Sequence, residues 1–189
     1  MLAEKKDRRY TSDEFLAMTE LDGQYELIDG YIYDMAPAPS PLHQDIAGYF
    51  YRTVWDYIER NNGKCHAYMG PLDVKLDDEN TVEPDVLVVC DPDKIDKKMC
   101  IGAPDWVIEI VSPSDTQRDT VDKLGLYSKA GVREYWIVFP EERQVLVYLF
   151  EAPNTTGIFT FDDEIPVSIY KDAPEPLKIR IRDFLPKNR

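Results

Sequence analysis

The stretch that decides the fold begins at Thr81-Val-Glu-Pro-Asp85, continues through Trp106-Val-Ile-Glu-Ile-Val111 and reaches Lys123. It places one acid directly after a proline, a second acid inside an apolar run, and a lysine in the segment that follows. An unpaired carboxylate in that run would be costly to bury, so a cation is expected near Glu109. Two carboxylates and one amine can hold a divalent metal and stabilise negative charge, and we predict that Asp85, Glu109 and Lys123 converge.

The elements around this stretch predict a sheet with helices beside it. Pro104–Ser112 is the most apolar segment, which indicates a central strand that is buried on both faces. A helix is predicted over Asp119–Ala130, with Gly131 as its C-terminal cap. The alternating segments Glu134–Phe139 and Gln144–Phe150 predict a hairpin.

The rest of the chain adds a helix and further strands, which together predict an α/β (α+β) fold with a mixed sheet and a helix on either side. We expect a mobile charged tail over residues 1–9, a single domain over 10–189 and a polar loop over 91–100. The remaining predicted elements, in chain order, are a helix Phe15–Thr19 behind a capping box at Thr11 and Glu14, a hairpin of Gln24–Ile28 and Tyr31–Met35 turned at Asp29-Gly30, a helix Leu42–Arg60, a hairpin of Lys64–Leu76 and Asp85–Cys90 turned at Asp77–Asn80, and peripheral strands Ile158–Phe161 and Leu177–Ile181.

Composition limits the classes of function. The 189 residues carry a net charge of −14, which counts against tight nonspecific binding to duplex nucleic acid. The objection is only partial, because exposed charges are screened beyond roughly 8 Å at physiological salt. No apolar run approaches the ~20 residues of a membrane span and no leader is evident, so we expect a cytoplasmic protein without a membrane partner. Three widely spaced cysteines argue against a disulfide framework or a zinc site, and two histidines exclude a histidine-rich one.

Geometry selects between two Pro-Asp pairs. Asp105 precedes Glu109 by four residues on the same strand and lies roughly 13 Å from it. That distance is too long for one Mg²⁺ ion, whose bonds are ~2.1 Å. Asp85 belongs to a different strand and can lie beside Glu109. We therefore predict Asp85 as the metal ligand and interpret Asp105 as a residue that starts a strand.

The amine comes from an unusual position. An amine two residues after Glu109 would share its face of the strand, but Val111 occupies that position. Asp119, Lys123 and Tyr127 are spaced by four residues and share one face of the predicted helix. If this face packs over the end of the strand, Lys123 can reach Glu109. The alternative is an ordinary surface pair of Lys123 with Asp119.

At these residues the sequence resembles the PD-(D/E)XK nuclease superfamily, and more closely its Uma-two branch of restriction-endonuclease-like proteins. The resemblance implies an αβββαβ core with peripheral hairpin strands, a divalent metal at Asp85 and Glu109, a relocated lysine at Lys123, and Glu26 facing the site. Phe139 departs from the pattern, because relatives often have Asp there. The segments that carry the resemblance are Tyr25–Gly30, Ser40–Gln44, Glu83–Asp85, Ala103–Ser114, Asp119-x-x-x-Lys123-x-x-x-Tyr127 and Gly131–Trp136.

The first functional hypothesis is a Mg²⁺- or Mn²⁺-dependent endonuclease that acts on nucleic acid, with DNA as the first candidate. Asp85, Glu109 and the Ile110 carbonyl would hold the metal, and Lys123 and Glu26 would complete the catalytic set. His43 and Tyr127 are the candidate substrate-binding residues, although a helix-start residue and a packing residue are their ordinary interpretations. A homodimer is expected, because cleavage of two strands needs two sites.

Two other classes stay open. One is a catalytically inactive binding or assembly module that keeps the nuclease fold, which the acidic surface and the displaced lysine favour. The other is a glycosidase with paired carboxylates, which would work in the presence of a chelator. A strand with Lys178, Arg180 and Arg182 on one face could contact nucleic acid, but charged edge strands commonly only prevent aggregation.

Overall fold

The computed structural model describes residues 8–35, 38–112, 121–151, 155–183 and 185. Thirteen strands in this part of the chain form sheets of five, six and two strands. The helices are α1 Ser12–Leu16, α2 Pro41–Arg60 and α3 Lys123–Ala130. The strands are β1 Tyr25–Ile28, β2 Tyr31–Asp34, β3 His66–Met69, β4 Val74–Lys75, β5 Thr81–Val82, β6 Val86–Val89, β7 Cys100–Ile101, β8 Trp106–Ile110, β9 Glu134–Phe139, β10 Gln144–Leu149, β11 Thr155–Thr160, β12 Ile165–Pro166 and β13 Lys178–Ile179.

The large sheet is mixed and has the strand order β11-β10-β9-β8-β6-β3. β8 lies between an antiparallel neighbour, β6, and a parallel neighbour, β9, and all five of its residues are buried. The prediction of a central strand is therefore confirmed. The succession of α2, β3, β6, β8, α3 and β9 gives the αβββαβ core that the resemblance implies, with the small sheet β2-β1-β5-β4-β7 beside it.

Successive side chains of β8 point to opposite faces of the large sheet, and this decides the face on which Glu109 lies. Trp106, Ile108 and Ile110 pack into one apolar cluster with α2. Val107 and Val111 pack into another cluster, with residues of α3 and of the small sheet. Glu109 belongs to the second set by alternation, so its carboxylate lies where α3 and β1 can reach it.

The predicted turn and cap residues are confirmed, but the bounds of α1 and α2 differ from the prediction. Asp29 and Gly30 adopt positive φ angles of 50° and 78° in the hairpin turn, and Gly131 ends α3 with a φ of 93°. Ser40 caps α2 through its side chain and Pro41 is the first helical residue, so the helix starts one residue before the prediction. The capping box at Thr11 is present, but α1 is Ser12–Leu16 rather than Phe15–Thr19, because a helix begins directly after its cap.

The second predicted hairpin is only partly correct. β3 and β6 pair in an antiparallel manner, but the chain between them leaves the large sheet. It forms β4 and β5, which pair with each other in the small sheet across the predicted turn at residues 77–80. The polar loop over 91–100 is likewise not wholly irregular, since it contains a 3-10 turn at Pro92–Lys94 and reaches β7.

Strand pairing also corrects the expectation for the cysteines. Cys65 and Cys90 form a disulfide, and Cys100 is a buried free thiol. His66 is opposite Val89 in the register of β3 and β6, so Cys65 and Cys90 face each other one position further along. The spacing of the cysteines in the sequence gives no sign of this pairing, because the two strands are not consecutive in the chain.

The N-terminal segment is held to the small sheet from residue 9 onward. The Arg9 side chain donates to the Asp29 carbonyl at 3.0 Å and to Glu79 at 2.8 Å, and the Tyr10 backbone donates to Gly30. Arg9, which the prediction placed in the tail, thus contacts the small sheet, while residues 1–7 lie outside the described part. Among the described helices, none is long and apolar enough to cross a membrane.

Candidate active site

A cavity of about 290 Å³ lies where β1, the segment before β6, the end of β8 and the first turns of α2 and α3 meet. The sequence-predicted residues that line it include Glu26, His43, Asp85, Glu109 and Lys123. The structure thus brings together residues from five separate elements. The convergence predicted for Asp85, Glu109 and Lys123 is present.

Glu109 accepts two hydrogen bonds on the same carboxylate oxygen. Lys123 Nζ donates to Glu109 Oε1 at 3.0 Å, and Tyr127 Oη donates to it at 2.8 Å. Lys123 and Tyr127 are one helical turn apart on α3, so both side chains reach over the end of β8. The spacing in the sequence therefore indicated the correct helical face.

Lys123 is held between two acids. Its amine lies 2.8 Å from Glu26 Oε1 as well as 3.0 Å from Glu109 Oε1, and the three side chains are at most 5 % exposed. A buried ammonium requires such compensation, because its desolvation is costly. Glu26 Oε1 also accepts from the Glu83 backbone N–H at 3.1 Å, which links β1 to the segment before β6. Asp119, the predicted surface partner of Lys123, lies outside the described residues.

Asp85 is oriented from two sides. Its Oδ2 accepts from the Ile110 backbone N–H at 2.7 Å, and its Oδ1 lies 2.9 Å from His43 Nε2. Val86 is opposite Ile108 in the register, which puts Asp85 opposite Glu109, and the Asp85 N–H is 3.4 Å from Glu109 Oε2. This register places Asp85 beside Glu109 on the neighbouring strand, as strand geometry predicts.

Glu83 was not among the predicted site residues, yet it lines the same cavity. The pKa of Glu83 is raised to about 7, first by burial and then by the negative charges of Asp73 and Glu26, against the opposing effect of Lys123. Glu83 lies two residues before Asp85, and in an extended segment residues two apart point to the same side. This spacing is the sequence signal that could have identified Glu83.

Both predicted substrate-binding residues contact a carboxylate of the site. Tyr127 is fully buried, and its hydroxyl is used on Glu109, which does not fit the substrate-binding role predicted for it. Burial, with a contribution from the charge of Glu109, holds the pKa of Tyr127 well above its ordinary value, so the hydroxyl remains a donor. His43 lies in the first turn of α2, and its imidazole contacts Asp85. The contact that the structure shows for His43 is therefore with this carboxylate, and its role in substrate binding stays a prediction.

The residues interpreted as structural have protein partners. Asp105 Oδ2 accepts from the Cys90 N–H at 2.7 Å, and Asp105 Oδ1 pairs with Arg133 at 3.2 Å. The predicted strand Leu177–Ile181 is shorter in the structure, because β13 ends at Ile179 and a 3-10 turn follows over Ile181–Asp183. The three cations predicted on its face pair with acids: Lys178 and Arg180 with Glu164, and Arg182 with Asp162. These pairs agree with a structural role for the three cations.

The donor set of the cavity fits a hard divalent cation. Four carboxylates line the cavity against one amine: Glu26, Glu83, Asp85 and Glu109 against Lys123. Their formal charge is four negative minus one positive, and carboxylate oxygens are the ligands that Mg²⁺ and Mn²⁺ prefer. Among the described residues, no three His, Cys, Asp or Glu side chains form a ready-made metal cluster. A site with two carboxylates, a backbone carbonyl and water does not require one.

Comparison with known proteins supports a nuclease-like assignment. The family model of Uma2, described as "Putative restriction endonuclease", matches residues 12–170. A crystal structure described as a "putative nuclease belonging to DUF820 from Anabaena variabilis" superposes with a TM-score of 0.74 and 26 % sequence identity. The match covers 92 % of this chain and 96 % of that one, whereas no curated protein matches. Because the family match covers most of the sequence, the chain belongs to the Uma2 family of restriction-endonuclease-like proteins.

Proposed function

We propose that the protein is a Mg²⁺- or Mn²⁺-dependent endonuclease that hydrolyses phosphodiester bonds of nucleic acid, with DNA as the first candidate substrate. The observation that supports this proposal is the placement of Lys123 Nζ at 3.0 Å from Glu109, in a cavity that Asp85 also lines. A fold similar to that of a nuclease makes this reaction class the first to test.

Asp85, Glu109 and the Ile110 carbonyl are the proposed metal ligands. The bonds that Asp85 and Glu109 already accept do not exclude this role, because an ionised carboxylate has about four acceptor positions. A bound divalent ion supplies two effects, a lower pKa for a water molecule and neutralisation of charge that develops on the phosphate.

The side chains of the chain itself perform the remaining tasks. Lys123 orients the attacking water or stabilises negative charge on the phosphate oxygens, as a buried cation whose position is already fixed. Glu26 fixes the Lys123 amine from the side opposite Glu109, and Tyr127 fixes the Glu109 carboxylate. The Ile110 N–H and His43 orient Asp85 in the same way.

The charge of the site explains why a cation is needed before a polyanion can approach. The cavity carries more carboxylates than amines, and the whole chain has a net charge of −14. Unscreened, these charges repel phosphate. Metal binding and substrate binding are therefore expected to be coupled, and duplex binding without metal is expected to be weak. We further propose a cytoplasmic homodimer, in which two sites could cut two strands.

A non-catalytic binding or assembly module is the second candidate. It is favoured by the acidic surface and by the place of Lys123, whose charge is already compensated by two acids. A module of this kind need not bind a divalent ion.

The two candidates are separated by nuclease assays on single-stranded and duplex DNA with Mg²⁺, Mn²⁺ or chelator. We expect metal-dependent cleavage by the wild type, and losses of about 100-fold or more in Asp85→Asn and Glu109→Gln, as for other preorganised charged groups. Glu59→Gln, on the exposed surface of α2, is the control and should retain activity. Equal activity in the wild type and both site variants would refute the assignment.

A further inference from the structure

Glu83 occupies a position in the cavity that the proposed mechanism does not use. It is separated from Asp85 by Pro84 alone, and both side chains line the cavity. In an extended segment, residues two apart lie on the same side, which accounts for their shared direction. The backbone N–H of Glu83 donates to Glu26 Oε1, so the residue is tied directly to the acid that holds Lys123.

One oxygen of the Glu83 carboxylate lacks a hydrogen-bond donor among the described residues. Its Oε2 atom is inaccessible to solvent and has no hydrogen-bond partner among the residues that the structure describes. A buried carboxylate oxygen without a donor is costly and uncommon in folded proteins. Because Glu83 lines the candidate active site, a ligand bound there could contact this oxygen in place of a protein donor.

The distribution of charge indicates the kind of ligand. Lys123 contacts Glu26 and Glu109, and Asp85 accepts from the Ile110 N–H and contacts His43. Glu83 is thus the acid of the cavity that has a buried oxygen without a hydrogen-bond partner among the described residues. A positive charge in the cavity would compensate it, and an ion already held by Asp85 and Glu109 would lie within the same 290 Å³.

Backbone packing keeps Glu83 and Asp85 in a fixed relationship. Gly70 N–H donates to the Asp85 carbonyl at 2.9 Å. A Cβ atom on Gly70 would lie only 2.9 Å from the Pro84 carbonyl oxygen, so this close approach requires glycine. The segment that carries both acids is consequently held as one unit against the loop after β3.

We propose that the Glu83 carboxylate raises the affinity of the cavity for the divalent cation, as a third negative charge beside Asp85 and Glu109 rather than as a member of a ready-made ligand cluster. The inference rests on the proposed function, because it requires that the cavity bind a divalent ion. It assigns Glu83 to cation affinity and leaves the attacking water and the phosphate to Lys123.

Calorimetric titration with MnCl₂ tests this role without any measurement of cleavage. Glu83→Gln keeps the size of the side chain and removes its charge, and we expect it to bind Mn²⁺ about 10- to 100-fold more weakly than the wild type. Glu59→Gln is the control, because it makes the same chemical change on the exposed surface of α2, away from the residues that line the cavity. This control should bind Mn²⁺ within about twofold of the wild type.

The outcomes distinguish the inference from the function on which it rests. Thermal unfolding in chelator verifies the fold of Glu83→Gln, which should be at least as stable as the wild type without metal. If Asp85→Asn abolishes Mn²⁺ binding while Glu83→Gln binds as the wild type does, the inference fails and the proposed function stands. If the wild type itself binds no Mn²⁺, both fail.

Discussion

Lys123 Nζ lies 2.8 Å from Glu26 Oε1, although one residue begins α3 and the other belongs to β1 of the small sheet. This contact connects the two sides of the cavity, because the same amine also contacts Glu109 on β8. Three separate elements therefore depend on one buried cation for their relative position.

Lys123→Met should lower both activity and stability. The loss of the amine leaves Glu26 and Glu109 buried without their cation, which should reduce the free energy of unfolding by about 3–5 kcal/mol. Cleavage should fall by about 100- to 1,000-fold, as for other preorganised charges. The double variant Lys123→Met with Glu26→Gln should recover part of the stability and none of the activity, as measured by urea unfolding and DNA cleavage. Recovery of activity in the double variant would show that Lys123 has only a structural role.

Tyr127→Phe should affect turnover more than substrate binding. The hydroxyl fixes Glu109 from beneath the cavity and is fully buried, so its removal frees the carboxylate without altering the walls. We expect a fall in kcat of about tenfold with KM nearly unchanged, and a loss of about 1–2 kcal/mol in unfolding free energy. Steady-state kinetics provide the test, and a rise in KM with normal kcat would restore the substrate-binding role predicted from the sequence.

Local signals in the sequence were sufficient for much of the fold and for half of the site. The turn at Asp29-Gly30 and the central strand each follow from short-range patterns. The four-residue spacing of Lys123 and Tyr127 identified the face of α3 that meets Glu109. Asp85 was separable from Asp105 because strand geometry alone excludes the latter from a shared ion.

The rest depends on the path of the chain in space. β4 and β5 belong to the small sheet, although they lie between β3 and β6 of the large sheet in the sequence. Each has only two residues, which is too few for a sequence pattern to indicate the sheet to which it belongs. The contact of His43 with Asp85 depends on how α2 packs against the large sheet. The position of Glu83 depends in turn on the small sheet that supplies Glu26. Contacts of this kind have no local signature.

Stability without metal should depend on pH through Glu83. Its folded-state pKa is raised from 4.5 to about 7, so between these pH values the folded state retains a proton that the unfolded state has lost. The unfolding free energy of the wild type should therefore decrease relative to Glu83→Gln as the pH rises from 4.5 to 7. The difference should be on the order of 1–2 kcal/mol, because partial solvent exposure screens the charge. Urea unfolding in chelator measures it, and parallel pH profiles of the two proteins would contradict the assignment.

Thiol titration checks the disulfide between Cys65 and Cys90. Under denaturing, non-reducing conditions one thiol should react, that of Cys100, and three should react after reduction. Reduction should lower the unfolding free energy by about 2–4 kcal/mol, because the bond restricts the unfolded chain. Cys100→Ala provides the control, since it should show no reactive thiol before reduction. Three reactive thiols in unreduced protein would show that the bond does not form.

Gly70→Ala tests whether the packing of one backbone against another sets the geometry of the site. A Cβ at this position would lie 2.9 Å from the Pro84 carbonyl oxygen, so the segment that carries Asp85 must shift. A displacement of about 1 Å at a catalytic group can cost about 100-fold in rate, and we expect the loss of cleavage to exceed the loss of stability. Gly48→Ala is the matched control, because no atom lies within 4 Å of its added Cβ. Alanine within α2 should raise stability by about 1 kcal/mol and leave cleavage unchanged. Equal cleavage by the two variants would mean that the position of Asp85 does not depend on Gly70.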